Sequence, residues 1–198
     1  MQYIFMALFA AAIVAADQLS KSWVVRHIAS SVCNPQMADC QVHIETLQKI
    51  YGVTQEQLSA LPKSVEGIDG IFELCHVHNT GAAFSSFAGQ RWLFAAIFLL
   101  FAIAIVWEFS KKRMGFSNFE RWCIIAVFAG GLGNMIDRIR LGFVVDMINV
   151  EFTLPWLSWL NGFAIFNVAD CFITCGCIAI MTSLVFFNKT FWKDSKKK

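Results

Sequence analysis

Two aspartates stand out by their setting. Asp146 closes Gly142-Phe143-Val144-Val145-Asp146, and Asp170 closes Phe166-Asn167-Val168-Ala169-Asp170, in a sequence that otherwise reads as membrane. A third carboxylate, Asp137, ends Gly130-Gly131-Leu132-Gly133-Asn134-Met135-Ile136-Asp137 and is followed by Arg138. A charge at bilayer depth costs about 2.5–3.5 kcal/mol on insertion scales, so such residues mark function or a satisfied polar network. Two carboxylates brought close together cannot both ionise, and one keeps its proton. The ionised member can take a proton from water while the protonated member donates to the carbonyl oxygen of a scissile amide. Asp146 and Asp170 are expected to face each other as such a pair. It would titrate as a unit and needs no metal or other cofactor.

The neighbouring side chains suit a peptide substrate. Asn167 and Asp170 are three apart, hence neighbours on one helical face, and Asn134, Asp137 and Arg138 cluster by the same rule. Amide and guanidinium groups can orient a peptide backbone. Gly130, Gly131 and Gly133 let helices approach closely. Other readings of the same residues are a plain Asp/Arg network, a small proton-coupled carrier or assembly factor, or a Gly-x-Gly-Asp intramembrane protease. In the last case the glycines would precede Asp, whereas here they precede Asn134. No inverted repeat supports a carrier.

These residues need a membrane scaffold, and composition supplies one. The chain of 198 residues is 57% hydrophobic and 15% charged, against about 25% charged in soluble domains. It reads as a single membrane-embedded domain over residues 1–198. A net charge of +2 argues against a nucleic-acid partner. Residues 3–16 are apolar, and the pattern resumes at Trp23 after Asp17-Gln18-Leu19-Ser20-Lys21. This predicts a retained first helix rather than a signal peptide cut after Val14-Ala15-Ala16, since no basic segment precedes the run. Asp17 and Lys21, four apart, share a face and can pair. Further spans are predicted over 91–109, 122–135 and 164–187.

Residues 26–90 are expected outside the bilayer, with a polar insertion at about 30–70. Ile44, Leu47, Ile50 and Tyr51 recur at helical spacing, and Thr54-Gln55-Glu56-Gln57 has the form of a capping box, in a piece ended by Pro62. Residues 71–77 read as a strand, on which His76 and His78 share a face. Two histidines can begin a metal site, but no third ligand stands at a recognised spacing, so none is expected. Cys33 and Cys40 can pair if that loop meets an oxidising compartment. Lys111-Lys112-Arg113 and the tail lysines Lys189, Lys193, Lys196, Lys197 and Lys198 place both termini in the cytoplasm. Asp146 and Asp170 then fall at the outer boundary. Trp23, Trp92, Trp156 and Trp159 fall on that side too, with Trp107, Trp122 and Trp192 on the inner one.

Four ordered blocks resemble the motifs of the signal peptidase II family, the bacterial lipoprotein signal peptidases. They are Asp17-Gln18-Leu19-Ser20-Lys21; Asn79-Thr80-Gly81-Ala82-Ala83-Phe84-Ser85; the Gly130 to Arg138 block with Gly142 to Asp146; and Phe166 to Asp170. The resemblance implies four transmembrane helices with a small extracytoplasmic β-cradle. It implies an aspartic endopeptidase of the inner membrane that cuts diacylglycerol-modified prolipoproteins before the lipidated cysteine. Asp146 and Asp170 match the catalytic aspartates. Asn79, Gly81, Asn134, Arg138, Asn167 and Ala169 match positions lining the substrate site. Asp17, Lys21 and Asp137 match supporting residues. Membrane lipid and globomycin-type cyclic peptide inhibitors are the other implied partners. The insertion at 30–70 is longer than the family's usual connection. A lipid-anchored substrate can draw about 0.8 kcal/mol per buried CH₂ from its acyl chains, so pocket specificity can be modest, with Ala82, Ala83 and Ala169 as small lining candidates.

Overall fold

The computed structural model describes residues 1–30, 38–68, 71–81, 90–111, 115–152 and 163–187. The expectations for Cys33, Ala82, Ala83, Trp156, Trp159, Trp192, the basic residues at 112–113 and the lysine tail lie outside these residues, as does the side chain of Cys40. Among the described residues four helices are long and apolar enough to cross a membrane: α1 (Gln2–His27), α4 (Arg91–Lys111), α5 (Asn118–Arg140) and α6 (Val168–Phe186). Between them lie the short helices α2 (Ala38–Tyr51) and α3 (Gln55–Ala60) and the strands β1 (Ser64–Ile68), β2 (Phe72–Asn79) and β3 (Val144–Val150). This is the expected architecture of four spans with a small antiparallel sheet and a partly helical insertion. The chain divides into two compact units: Met1–Ala16, Trp92–Asn134 and Val168–Lys198 in the first, Asp17–Arg91 and Met135–Asn167 in the second.

The first unit is helical. Small residues let its helices touch: a Cβ added at Gly130 would meet the Ala169 carbonyl oxygen at 2.5 Å, and one at Gly176 would meet Val127 Cγ2 at 2.7 Å. Ile13, Ala126 and Ala129 are buried, with Ala10, Val14 and Phe172 packed around them. The third span begins earlier than its apolar run, because Ser117 and Glu120 form a reciprocal cap: Glu120 N donates to Ser117 Oγ at 3.2 Å, and Ser117 N donates to Glu120 Oε2 at 2.7 Å. Ser183 Oγ of α6 donates to the other oxygen of that buried carboxylate at 2.9 Å. Arg121 beside it donates to the Phe116 carbonyl and lies over the Phe109 ring. Leaving the membrane-facing sides apolar and tying the polar groups to each other keeps the helix ends satisfied.

The second unit is built on the sheet, in the order β1-β2-β3 with both pairs antiparallel. A bulge lies on β2 between Leu74 and Val77, after which Val77 stands opposite Asp146 and Asn79 opposite Val144. The extra residue buries Cys75 and His76 in succession. Val24, Val25, Ile28, Leu47, Phe143, Val145 and Met147 form the core, with Ile50 and Tyr51 against it. The helical spacing of Ile44, Leu47, Ile50 and Tyr51 therefore does predict α2. The capping box on α3 is present as well, with Gln57 N donating to Thr54 Oγ1 and Thr54 N to Gln57 Oε1. β2 extends past the expected 71–77 to include Asn79. At the end of α5, Gly142 takes φ +87°, the left-handed conformation that lets a helix stop and turn. β3 starts two residues later.

Candidate active site

Within the second unit, Asp146 is 3% exposed and both its oxygens are held. Asn79 Nδ2 donates to Oδ2 at 2.9 Å, and Asn167 Nδ2 donates to Oδ1 at 2.7 Å. Each donor is itself fixed. Gly81 N donates to Asn79 Oδ1 at 3.0 Å, which turns the amide nitrogen toward Asp146. Arg138 Nη2 donates to the Gly81 carbonyl at 2.7 Å and ties that turn to α5. Asn167 follows Phe166, whose backbone pairs with Ile148: Ile148 N donates to Phe166 O at 2.8 Å and Phe166 N to Ile148 O at 3.1 Å. That pairing explains why the fourth helix starts at Val168 rather than at 164. Asn167 precedes the helix, so the one-face reading with Asp170 does not hold for it. Its amide serves Asp146 and, at 3.4 Å, the Val145 carbonyl.

The same unit holds a buried ionic group. Lys21 Nζ is 2.8 Å from Asp17 Oδ2 and 2.9 Å from Asp137 Oδ2, with all three side chains essentially unexposed. The i,i+4 spacing sets Asp17 beside Lys21 on one helix face, as expected. Gln18 Nε2 donates to Asp137 Oδ1 at 2.9 Å and to Asp17 Oδ2 at 3.2 Å. Asp137 Oδ2 also accepts from Val145 N at 3.2 Å. The ammonium thus anchors a carboxylate that fixes the backbone one residue before Asp146. Gln18 was not singled out in the sequence; a polar residue inside an apolar helix, one step from Asp17, is the signal that finds it.

Within the first unit, Asp170 is the third residue of α6, where the helix N-terminus favours a carboxylate. Asn134 Nδ2 of α5 donates to Asp170 Oδ1 at 2.8 Å. Ala169 is fully buried, its carbonyl against Gly130. The candidate residues thus gather in two sets, Asp146 with Asn79, Gly81, Arg138 and Asn167, and Asp170 with Asn134 and Ala169.

His76 and His78 do meet a third histidine, His43 of α2, in the second unit. The two contacts use opposite edges of the His78 ring, so no single point reaches all three rings. Among the described residues no group of three or more His, Cys, Asp or Glu is placed to hold a metal. The described cysteines Cys75, Cys123, Cys171, Cys175 and Cys177 are unbridged. Burial pushes the Cys75 thiol up to about 11, helped by Glu73 and Asp146, which leaves it an inert core residue.

Comparison with known proteins covers the same stretch of chain. The family model described as signal peptidase (SPase) II matches residues 9–186. The lipoprotein signal peptidase of Streptococcus agalactiae serotype Ia is 34% identical over 185 residues, covering 92% of this chain and 88% of that protein. That of Streptococcus pyogenes serotype M6 is 32% identical over 182 residues, covering 92% and 89%. A solved bacterial membrane enzyme, determined in meso at 2.3 Å, is 26% identical, covers 94% of this chain and 90% of its own, and superposes with a TM-score of 0.67. With both carboxylate sets falling inside the matched stretch, the chain belongs to the signal peptidase II family of membrane proteases.

Proposed function

We propose that this protein is an aspartic endopeptidase that removes the signal peptide from diacylglycerol-modified prolipoproteins, cutting just before the lipidated cysteine. Asp146 and Asp170 act as the catalytic pair. The observation that carries the reading is the treatment of Asp146. A carboxylate that is almost wholly buried has both oxygens engaged by side-chain amides from two separate parts of the chain. So much fixation of one acid, in a family of peptidases, is the mark of a group that must meet a reacting atom in one geometry.

In this mechanism one acid of the pair is ionised and draws a proton from water as the oxygen attacks the scissile carbonyl. The other is protonated and donates to the carbonyl oxygen, so the tetrahedral intermediate forms without a free oxyanion. Collapse expels the amine, which takes the proton from the first acid, while the second acid takes a proton back from a hydroxyl of the intermediate as the new carboxyl group forms. The pair then shares one proton again. Arg138, Asn134, Asn79, Gly81, Asn167 and Ala169 are the proposed substrate-binding residues, and Lys21, Asp17 and Asp137 the proposed supporting ones. The whole chain over residues 1–198 acts as one peptidase domain.

The proposed setting is the bacterial cytoplasmic membrane, with both termini in the cytoplasm and the pair at the outer face. Basic residues flanking α4 and α6 on one side, with four spans between the termini, support this orientation. Globomycin-type cyclic peptides are the proposed inhibitors. The test is cleavage of a diacylated precursor by the purified protein, read by mass. The product is expected to begin with the lipidated cysteine, and the unlipidated precursor to be left whole. Equal cleavage of both precursors would refute the substrate assignment.

A further inference from the structure

Three of the chain's four histidines meet in the second unit. His76 Nδ1 lies 3.0 Å from the backbone carbonyl oxygen of Ile28, just past the end of α1. His76 Nε2 lies 3.1 Å from His78 Nε2, and His78 Nδ1 lies 3.3 Å from His43 Nδ1 of α2. A carbonyl can only accept, so His76 carries its proton on Nδ1 and offers Nε2 as an acceptor. His78 must then donate from Nε2, which leaves its Nδ1 as an acceptor, so His43 donates from Nδ1. One backbone carbonyl therefore sets the direction of both ring-to-ring contacts, with His76 and His78 neutral. The rings close on Phe143, which stacks on His78 at 4.1 Å between centroids and sits 4.4 Å from His43.

This chain of rings lies next to the catalytic strand pair. His76 and His78 belong to β2, which ends in Asn79. Phe143 immediately precedes β3, and β3 carries Asp146. Resting on the reading of Asp146 as catalytic, we propose that His43, His78 and His76 form a positioning device that fastens the inserted helix α2 to β2 and holds Asn79 against Asp146 while the rings are neutral. Adding a proton to His78 or His76 turns an acceptor nitrogen into a donor and sets two N–H groups face to face, which breaks the link. Groups facing the rings include the Ile28 carbonyl from α1, Phe143 ahead of β3, Val145 opposite His78 on β3, Ser64 of β1 opposite Cys75, and the other two histidines. Burial holds His76 down to about 4, and burial with the two neighbouring rings holds His78 well below its usual value.

The first arm of the test is histidine ring ¹⁵N NMR of the full-length wild-type protein in detergent at about pH 7.5, with single His→Gln variants for assignment. His76 should show N–H at Nδ1, His78 at Nε2 and His43 at Nδ1. Any other tautomer, or a charged His78, overturns the proposal. The second arm is kcat and KM for a diacylated precursor against pH. Wild type should hold kcat between about pH 7 and 5 and lose it on further acidification toward pH 4. His78→Phe should lower kcat about tenfold at the upper end with KM little changed. His78→Gln, which can donate and accept but does not titrate, should restore most of that rate and show a flat response through that acid limb. His43→Gln should flatten it too, whereas His27→Gln, at an exposed residue, should match wild type. An acid limb unchanged in His78→Gln overturns the proposal. If His78→Phe does not fold, the glutamine variants and the NMR arm decide. Failure of wild type to cleave would refute the proposed function, while the ring spectra would still read the histidine chain.

Discussion

Asn167 donates to Asp146 across a 2.7 Å contact, from a residue that stands between a backbone bridge to β3 and the first turn of α6. One short segment therefore positions a donor for one aspartate and then begins the helix that carries the other. Asn79 completes the hold on Asp146 from the far side of the carboxylate. A hydrogen bond to a charged group contributes about 1.5–3 kcal/mol. Asn167→Ala and Asn79→Ala should each lower kcat/KM for a diacylated precursor by about 10- to 100-fold at this energy. Initial rates of the purified variants, compared with their thermal unfolding, check this. Wild-type rates in both would show that the amides do not position the acid.

The Lys21 ammonium neutralises one of the two buried carboxylates it touches. Removing one partner of a buried pair costs about 3–5 kcal/mol, because a charge is left without its partner. Lys21→Met should therefore lower the thermal midpoint in detergent well below that of wild type. Lys21→Met combined with Asp137→Asn should recover part of the loss, since it removes one orphaned charge. A double variant less stable than Lys21→Met would contradict this account.

Gly130 and Gly131 separate two consequences of adding a methyl group. At Gly130 it would strike the Ala169 backbone, one residue before Asp170, whereas at Gly131 it would meet the Phe98 ring at 3.1 Å. A ring can swing aside and a helix backbone cannot. Gly130→Ala should thus cost about tenfold or more in kcat, the scale of a displaced reacting group, while Gly131→Ala should leave kcat near wild type. Rates at matched expression distinguish them.

Acid should weaken the fold through the buried histidines. His76 is held down to about 4 in the folded chain against an ordinary value of 6.5. Between those values the unfolded chain binds a proton that the folded chain does not, so stability rises with pH there. The loss on acidification begins near 6.5, is complete near 4, and amounts to about 3 kcal/mol at most for this one ring. Thermal unfolding at several pH values checks the direction. His76→Gln should unfold with a shallower pH dependence.

Much of the site was legible because charge is expensive in an apolar chain. Asp17, Lys21, Asp137, Asp146 and Asp170 each announce themselves by that cost, and i,i+4 spacing alone pairs Asp17 with Lys21. The capping box at Thr54 and the stripe through Leu47 identify α3 and α2 from local pattern. Contacts made at long range were not legible in this way. His43 and His78 are 35 residues apart, and nothing local says that α2 turns one toward the other. β1 lies in a polar stretch without strict alternation, and it is fixed by its pairing with β2. Asn167 reads as helical by spacing, but the backbone bridge between Phe166 and Ile148 keeps the chain extended up to it. The start of α5 at Asn118 was readable, since Ser117 and Glu120 are three apart in the pattern of a cap.

Asp146 and Asp170 are proposed to cleave the lipidated precursor together. The most direct measurement is single-turnover cleavage of a diacylated prolipoprotein by wild type, Asp146→Asn, Asp170→Asn and the double variant, each shown to be folded by thermal unfolding. Residues that act as one unit are non-additive, so each single variant should lose cleavage about as completely as the double. Substantial cleavage by either folded single variant would contradict the claim.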